Sequence, residues 1–185
     1  MSFTFVSGHV GLDLAGTVSH RDTLDRYDLL TGPDVLASWI VQAGLVDAAP
    51  AVDAAGLAEM TELREAIYRL ATARIRGTAA RSVDRDLLNS TAAAPPVTPR
   101  LREDGAITLG GELSAICSTI ARATIELLGG PAAAQLKACG AAPCTRIYLD
   151  SSRRGDRRWC DMRECGNRAK AASYRKRHAA DRAGS

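Results

Sequence analysis

Residues 139–165 read CGAAPCTRIYLDSSRRGDRRWCDMREC, and they decide how the C-terminal third of this chain folds. Cys139, Cys144, Cys160 and Cys165 are spaced C-x4-C-x15-C-x4-C. Two close pairs of thiols set about fifteen residues apart are the layout of a four-thiolate metal site. Each pair lies on one tight turn, so its two sulfurs converge near ~2.3 Å from a common ion. Zinc is the expected ion, one per chain, held by all four. An iron–sulfur cluster also accepts four thiolates, and two disulfides would consume the same four residues. Neither pair has the C-x-x-C spacing of a redox catalyst. Four thiolates fill a tetrahedron and leave no position for water, so metal catalysis is not expected. The fifth cysteine, Cys117, falls in the apolar pattern Leu113, Ile116, Cys117, Ile120 and reads as a core thiol.

The cysteines also organise the residues between them. Cys139–Cys144 forms a first knuckle, with Gly140 and Pro143 permitting the turn. Arg146–Asp150 reads as a strand, 151–156 as a turn, and Arg157–Trp159 as the return strand of a hairpin. Asp161–Glu164 forms a second knuckle, and Cys165 opens a helix, GNRAKAASYRKRHAADR. Knuckle, hairpin, knuckle and helix make a treble-clef-like zinc module. In it the metal replaces a core that about 45 residues cannot build.

Charge divides the chain at the same place. Residues 1–145 carry 12 basic and 16 acidic side chains, a net of −4, whereas 146–185 carry 12 and 5, a net of +7. A basic module on an acidic body is the footprint of a nucleic-acid binder. Arg168, Arg175 and Arg182 recur at seven-residue intervals on one helical stripe, with Lys170 and Lys176 beside it. Arg153, Arg154, Arg157 and Arg158 form a second cluster at the hairpin. Helix and hairpin together are suited to tracking a duplex, with the helix in the major groove. Asn167 and Arg168 have the side chains to read adenine and guanine. The alternative is that Asn167 satisfies backbone at the helix start and Arg168 neutralises the thiolate centre. Trp159 is expected to pack over the metal site.

The first 134 residues read as a mostly helical domain. Thr31-Gly32-Pro33 starts one helix, whose stripe is Leu36, Trp39, Ile40 and Ala43. Asp53–Arg76 carries Leu57, Met60, Leu63, Ile67 and Leu70 at helical spacing, with Glu and Arg on the opposite face and Gly77 as C-cap. Ser82 caps another helix, to about Ala93. VTPRLREDGAITL resembles a β-hairpin turning at Asp104-Gly105, and Glu112–Leu128 is amphipathic. Phe3–Val6 reads as a short strand, Asp22–Leu30 as a short helix, and Pro131–Lys137 as a helical lead into the module. The fold class is therefore mainly α with small β-hairpins: a helical domain over 1–134 and the zinc module over 135–185.

Nothing in the domain has a phosphate loop or a G-x-S-x-G motif, so an enzyme is not expected. No stretch approaches ~20 apolar residues. The N-terminus, MSFTFVSGHVGLDLAG, lacks the pattern of a signal peptide, so a reducing cytoplasm is the expected location. Asp13, His20 and Trp39 are the candidates for lining an effector pocket.

RRWCDMRECGNRAKAASYRKR, residues 157–177, closely resembles the CGNR zinc-finger family, named for the tetrapeptide at 165–168. The resemblance extends over about 135–178. Upstream, GLDLAGTV (11–18) and DLLTGPDVLASWIVQAGL (28–45) resemble the ABATE domain that usually precedes this finger. Where that family typically carries Asn before the Thr, this chain has Gly16. The resemblance implies four zinc-bound cysteines, DNA as partner and a bacterial, especially actinobacterial, stress-induced transcription regulator. A small-molecule effector, a protein partner or a homodimer are further candidate partners. The alternatives are an RNA- or protein-binding module, or a ligand-binding domain whose finger is purely structural.

Overall fold

The computed structural model describes the backbone of residues 2–183 and the side chains of residues 2–175. The element order is α1 (Val10–Ala15), β1 (Val18–Ser19), β2 (Tyr27–Asp28), α2 (Pro33–Gln42), α3 (Ala54–Arg76), α4 (Ser82–Ala92), β3 (Thr98–Leu101), β4 (Ile107–Gly110), α5 (Leu113–Gly129), β5 (Leu136–Ala138), β6 (Ile147–Leu149) and α6 (Asn167–Ala183). A 3-10 turn (Pro131–Gln135) precedes β5, and a π-helical turn (Met162–Gly166) precedes α6. The described strands form three antiparallel pairs, β1–β2, β3–β4 and β5–β6. The chain is mainly helical with small sheets, as its periodicities predict.

The long α3 is the spine. Asp53 caps it by accepting the Gly56 N–H at 2.8 Å, and Gly77 ends it in the left-handed region at φ 64°. Leu36, Trp39 and Ile40 of α2 pack with Met60, Leu63 and Ile67 of α3 and with Ile116 and Ile120 of α5 in the main core. Cys117 lies in this core, and burial pushes its thiol up to about 11. Gly56 lets α5 approach closely, because a Cβ there would meet the Leu113 side chain at 2.4 Å.

Five local expectations change. Phe3–Val6 forms no strand. Asp22–Leu30 holds turns and β2 instead of a helix. Residues 27–28 pair with 18–19, Leu29 and Leu30 reach the main core, and Leu24 is left fully exposed. Arg157–Trp159 is not the return strand. Ile147–Leu149 pairs instead with Leu136–Ala138, in the register Leu136↔Leu149 and Ala138↔Ile147. The end of the expected lead helix is therefore a strand, and the first knuckle is the tip of this hairpin. Arg64, assigned by periodicity to the polar face of α3, is 1 % exposed. Its guanidinium donates to both Asp28 carboxylate oxygens at 2.7 Å and to Thr17 Oγ1 at 3.2 Å. That fork–fork pair supplies the partner a buried charge requires.

The hairpin β5–β6 is part of the body. Leu136 and Ile147 join Leu12, Ala71, Leu127 and Ala133 in a second apolar cluster. Each large aliphatic side chain buried there contributes on the order of 1.5–3 kcal/mol. The metal-binding tip thus stands on the same core as α1, α3 and α5.

Candidate metal centre and basic face

The sulfur cluster is assembled from two turns. Cys139 and Cys144 flank the tip of the β5–β6 hairpin, where the Cys139 N–H donates to Arg146 O at 2.9 Å and the Cys144 N–H to Ala141 O at 2.8 Å. Cys160 and Cys165 bracket the segment that Asp161 caps, its carboxylate accepting the Arg163 N–H at 3.1 Å. The Gly140 N–H donates to Arg158 O at 2.9 Å, tying one knuckle to the other. A Cβ on Gly140 would sit 3.2 Å from that same oxygen.

All four sulfurs lie within 4.8 Å of one another. Sγ of Cys160 is 3.8 Å from that of Cys144 and 3.6 Å from that of Cys165. Four sulfurs at ~2.3 Å around one tetrahedral ion would be separated by about 3.8 Å. Disulfides need about 2.05 Å, and all four cysteines are free. The donor set therefore fits one zinc ion. Cys160 and Cys165 are each 4 % exposed, with Ala141 and Tyr148 buried among them and Trp159 and Ala169 packed alongside. As bare thiols the cluster is frustrated. Cys139 is driven down by S–H donation from Cys144 and Cys160, while that same exchange drives Cys160 up. Burial lifts Cys165 to about 12. A dication removes the conflict, because every sulfur can then be a thiolate.

Neighbouring groups serve the sulfurs. The Cys160 N–H donates to Cys139 Sγ at 3.4 Å, and Arg168 Nη2 donates to Cys165 Sγ at 3.1 Å. The Asn167 amide donates to Arg163 O at 2.8 Å. Arg157 turns inward, away from the basic face. Its guanidinium donates to the carbonyls of Trp159 (2.7 Å), Val6 (3.4 Å) and Cys160, and lies 4.4 Å from the centre of the Tyr148 ring. Those three oxygens and the ring hold it at the junction between finger and body, where no phosphate would compete. Arg153, Arg154, Arg158, Lys170 and Arg175 are exposed, as is the rest of the Arg168 side chain. The side chains of Lys176 and Arg182 lie outside the described residues.

The profile of the ABATE domain, described as "Putative stress-induced transcription regulator", matches residues 8–131. That of the CGNR zinc finger matches residues 135–178. The chain belongs to the ABATE family and ends in a CGNR zinc finger. No curated protein matches it.

The CGNR finger is bolted to the ABATE domain by Arg146. Its guanidinium donates to Thr4 O and Ser7 Oγ at 3.3 Å and to Gly16 O at 3.2 Å, and stands 3.7 Å from the Asp13 carboxylate. A Cβ on Gly16 would fall 2.4 Å from Arg146 Nη1. Gly16 thus leaves room for an arginine from the chain's own finger. Alongside, the Leu149 N–H donates to Ser7 O at 2.8 Å and the Arg21 N–H to Thr145 Oγ1 at 3.2 Å.

Among the described residues, Asp13, His20 and Trp39 line none of the larger clefts. Asp13 accepts the Ser7 N–H at 2.9 Å beside Arg146; burial pushes its carboxyl up, against those two partners. Trp39 is 1 % exposed in the main core, its ring 6.0 Å from that of Phe5. His20 adopts φ 54° and packs edge-on against Tyr27. Arg163, exposed on the π-helical turn, is one more exposed cation of the finger and had no place in the sequence pattern. Its distance from the helical stripe hid it. Among the described residues no helix is long and apolar enough to cross a membrane.

Proposed function

We propose that this chain is a zinc-dependent DNA-binding regulator whose α6 and 153–158 loop contact duplex DNA, working in the cytoplasm without catalysing a reaction. The observation that carries this reading is the state of α6. Along the described part of the helix Ala169 packs against the metal site, while Lys170, Ala171, Ala172, Ser173 and Arg175 are exposed. A helix of 17 residues, about 25 Å long, is marginal in water without tertiary support. A partner that covers it completes its stability, and its Lys170 and Arg175 suit a polyanion. The major groove, about 12 Å wide, admits one helix. Arg153, Arg154, Arg158 and Arg163 supply phosphate contacts from the adjoining turns.

Asn167 and Arg168 support the metal centre and the helix start in this reading, so they position α6 while other residues face the bases. The filled tetrahedron of four thiolates argues against chemistry at the metal. The ABATE domain then assembles the protein or senses a signal.

The test is a genome-wide pull-down of crosslinked DNA with the tagged protein beside a Lys170→Ala/Arg175→Ala variant, which leaves the metal centre untouched. Discrete sites sharing a motif and lost in the variant are expected. Equal recovery by both proteins, or enrichment of RNA alone, would overturn the reading.

A further inference from the structure

The ABATE domain has a cleft that neither the metal centre nor the basic face uses. It lies where the C-terminal ends of α3 and α5 meet the middle of α4, with a volume of about 310 Å³. That is within the usual range for small-molecule sites, roughly 300–1,000 Å³. Its floor is apolar: Leu70 and Leu88 are buried, and Ile125 and Leu128 are half-buried. The cleft stays open because its walls are small. Ala73 and Gly129 line it, and a Cβ on Gly129 would meet nothing within 4 Å. Polar groups sit at the rim, where Arg74 and Arg85 are exposed. Among the described residues no acidic side chain lines the cleft. Among the described residues Arg74 forms no ion pair, and Arg85 has its exposed neighbour Asp86 at 3.9 Å.

We propose that this cleft binds a small organic anion with an apolar body, a carboxylate of medium chain length, seated with its chain on Leu70, Leu88, Ile125 and Leu128 and its head at Arg74 and Arg85. The local field favours that orientation. The ends of α3 and α5 each bring about half a negative charge, which alone would repel a carboxylate. Two guanidiniums bring two full positive charges. The balance is positive by about one charge. The apolar floor excludes a small hydrated anion such as phosphate, which would gain nothing from it. The two arginines exclude an amine of the same length.

The proposal does not rest on the DNA reading, and its test is separate. Octanoate is titrated calorimetrically into the full-length, zinc-loaded protein, with octylammonium and octanol as controls. Saturable one-to-one binding of octanoate is expected, with octanol at least tenfold weaker and octylammonium inert. Arg74→Ala/Arg85→Ala, two surface changes, weakens octanoate by tenfold or more. Ala73→Phe, shown to be folded by circular dichroism, fills the cleft and abolishes binding. No saturable heat at millimolar octanoate would overturn the proposal, as would equal binding of octanol or octylammonium. So would an Ala73→Phe protein that still binds. A molecular mass that rises with concentration and that Ala73→Phe returns to monomer would instead make the cleft an interface between copies.

Discussion

Single residues near the metal are committed to the scaffold before they can serve a partner. Arg168 spends a guanidinium N–H on a thiolate, Asn167 spends its amide on a carbonyl, and Arg157 spends its charge on three carbonyls. A tetrathiolate zinc centre is formally −2, so a cation against Cys165 is worth more there than on a solvated surface. The same economy operates in the body at His9. Its Nδ1 accepts the Gly11 N–H at 3.2 Å and caps α1, while its Nε2 donates to Ala123 O at 3.1 Å. This tautomer is neutral. Burial lowers its pKa from the ordinary value, against the opposing pull of Ala123 O and Asp13. The folded state therefore binds a proton less readily than the unfolded chain. The resulting stability is complete above about pH 6.5 and is lost as pH falls below it, toward the folded pKa. Melting temperature measured from pH 7.5 to 5.5 should fall, and His9→Asn, which keeps a capping acceptor, should flatten that slope. An unchanged slope in the variant would remove His9 from the account.

The cysteines were legible because a ligand pair is local: two residues on one turn must share an ion, whatever the rest of the fold does. The arginines held by the scaffold were not. Arg64 meets Asp28 across 36 positions, Arg146 meets Ser7 across 139, and Arg157 meets Val6 O across 151. No periodicity in the sequence distinguishes an arginine aimed at solvent from one aimed at such a partner.

Among elements, the β5–β6 hairpin joins metal to core, and its lower half packs with α1, α3 and α5 while its tip carries two thiolates. Helices α3 and α5 could be read from apolar spacing and their glycine ends, since a 3.6-residue repeat reports one buried face. Strand β5 could not, because Leu136-Lys137-Ala138 is too short to alternate and is fixed by partners nine to thirteen residues on. The packing predicts linkage. Stripping the metal with a chelator at neutral pH should expose the amides of residues 4–15 to hydrogen exchange along with those of 136–149. Exchange confined to the finger, with α1 still protected, would sever the two. Arg146→Ala with zinc bound should cost about 2–3 kcal/mol in denaturant unfolding, because it takes the cation from beside Asp13 and the donor from Thr4 O, Gly16 O and Ser7 Oγ.

For the whole molecule the decisive asymmetry is electrostatic: an acidic helical body of net −4 and a C-terminal segment of net +7. That division was visible from composition, and so was the order of domain and finger. What composition did not reveal is which cations remain exposed once the scaffold has taken its share: Arg153, Arg154, Arg158, Arg163, Lys170 and Arg175 among the described residues. The direct test is the salt dependence of duplex DNA binding by the zinc-loaded protein. With roughly five phosphate contacts, log K should fall by about 4–5 units per tenfold rise in salt. Lys170→Glu/Arg175→Glu should weaken binding and reduce that slope by about two contacts, with zinc content unchanged. Binding that ignores salt, or a charge-reversed variant that binds as the parent does, would contradict the account.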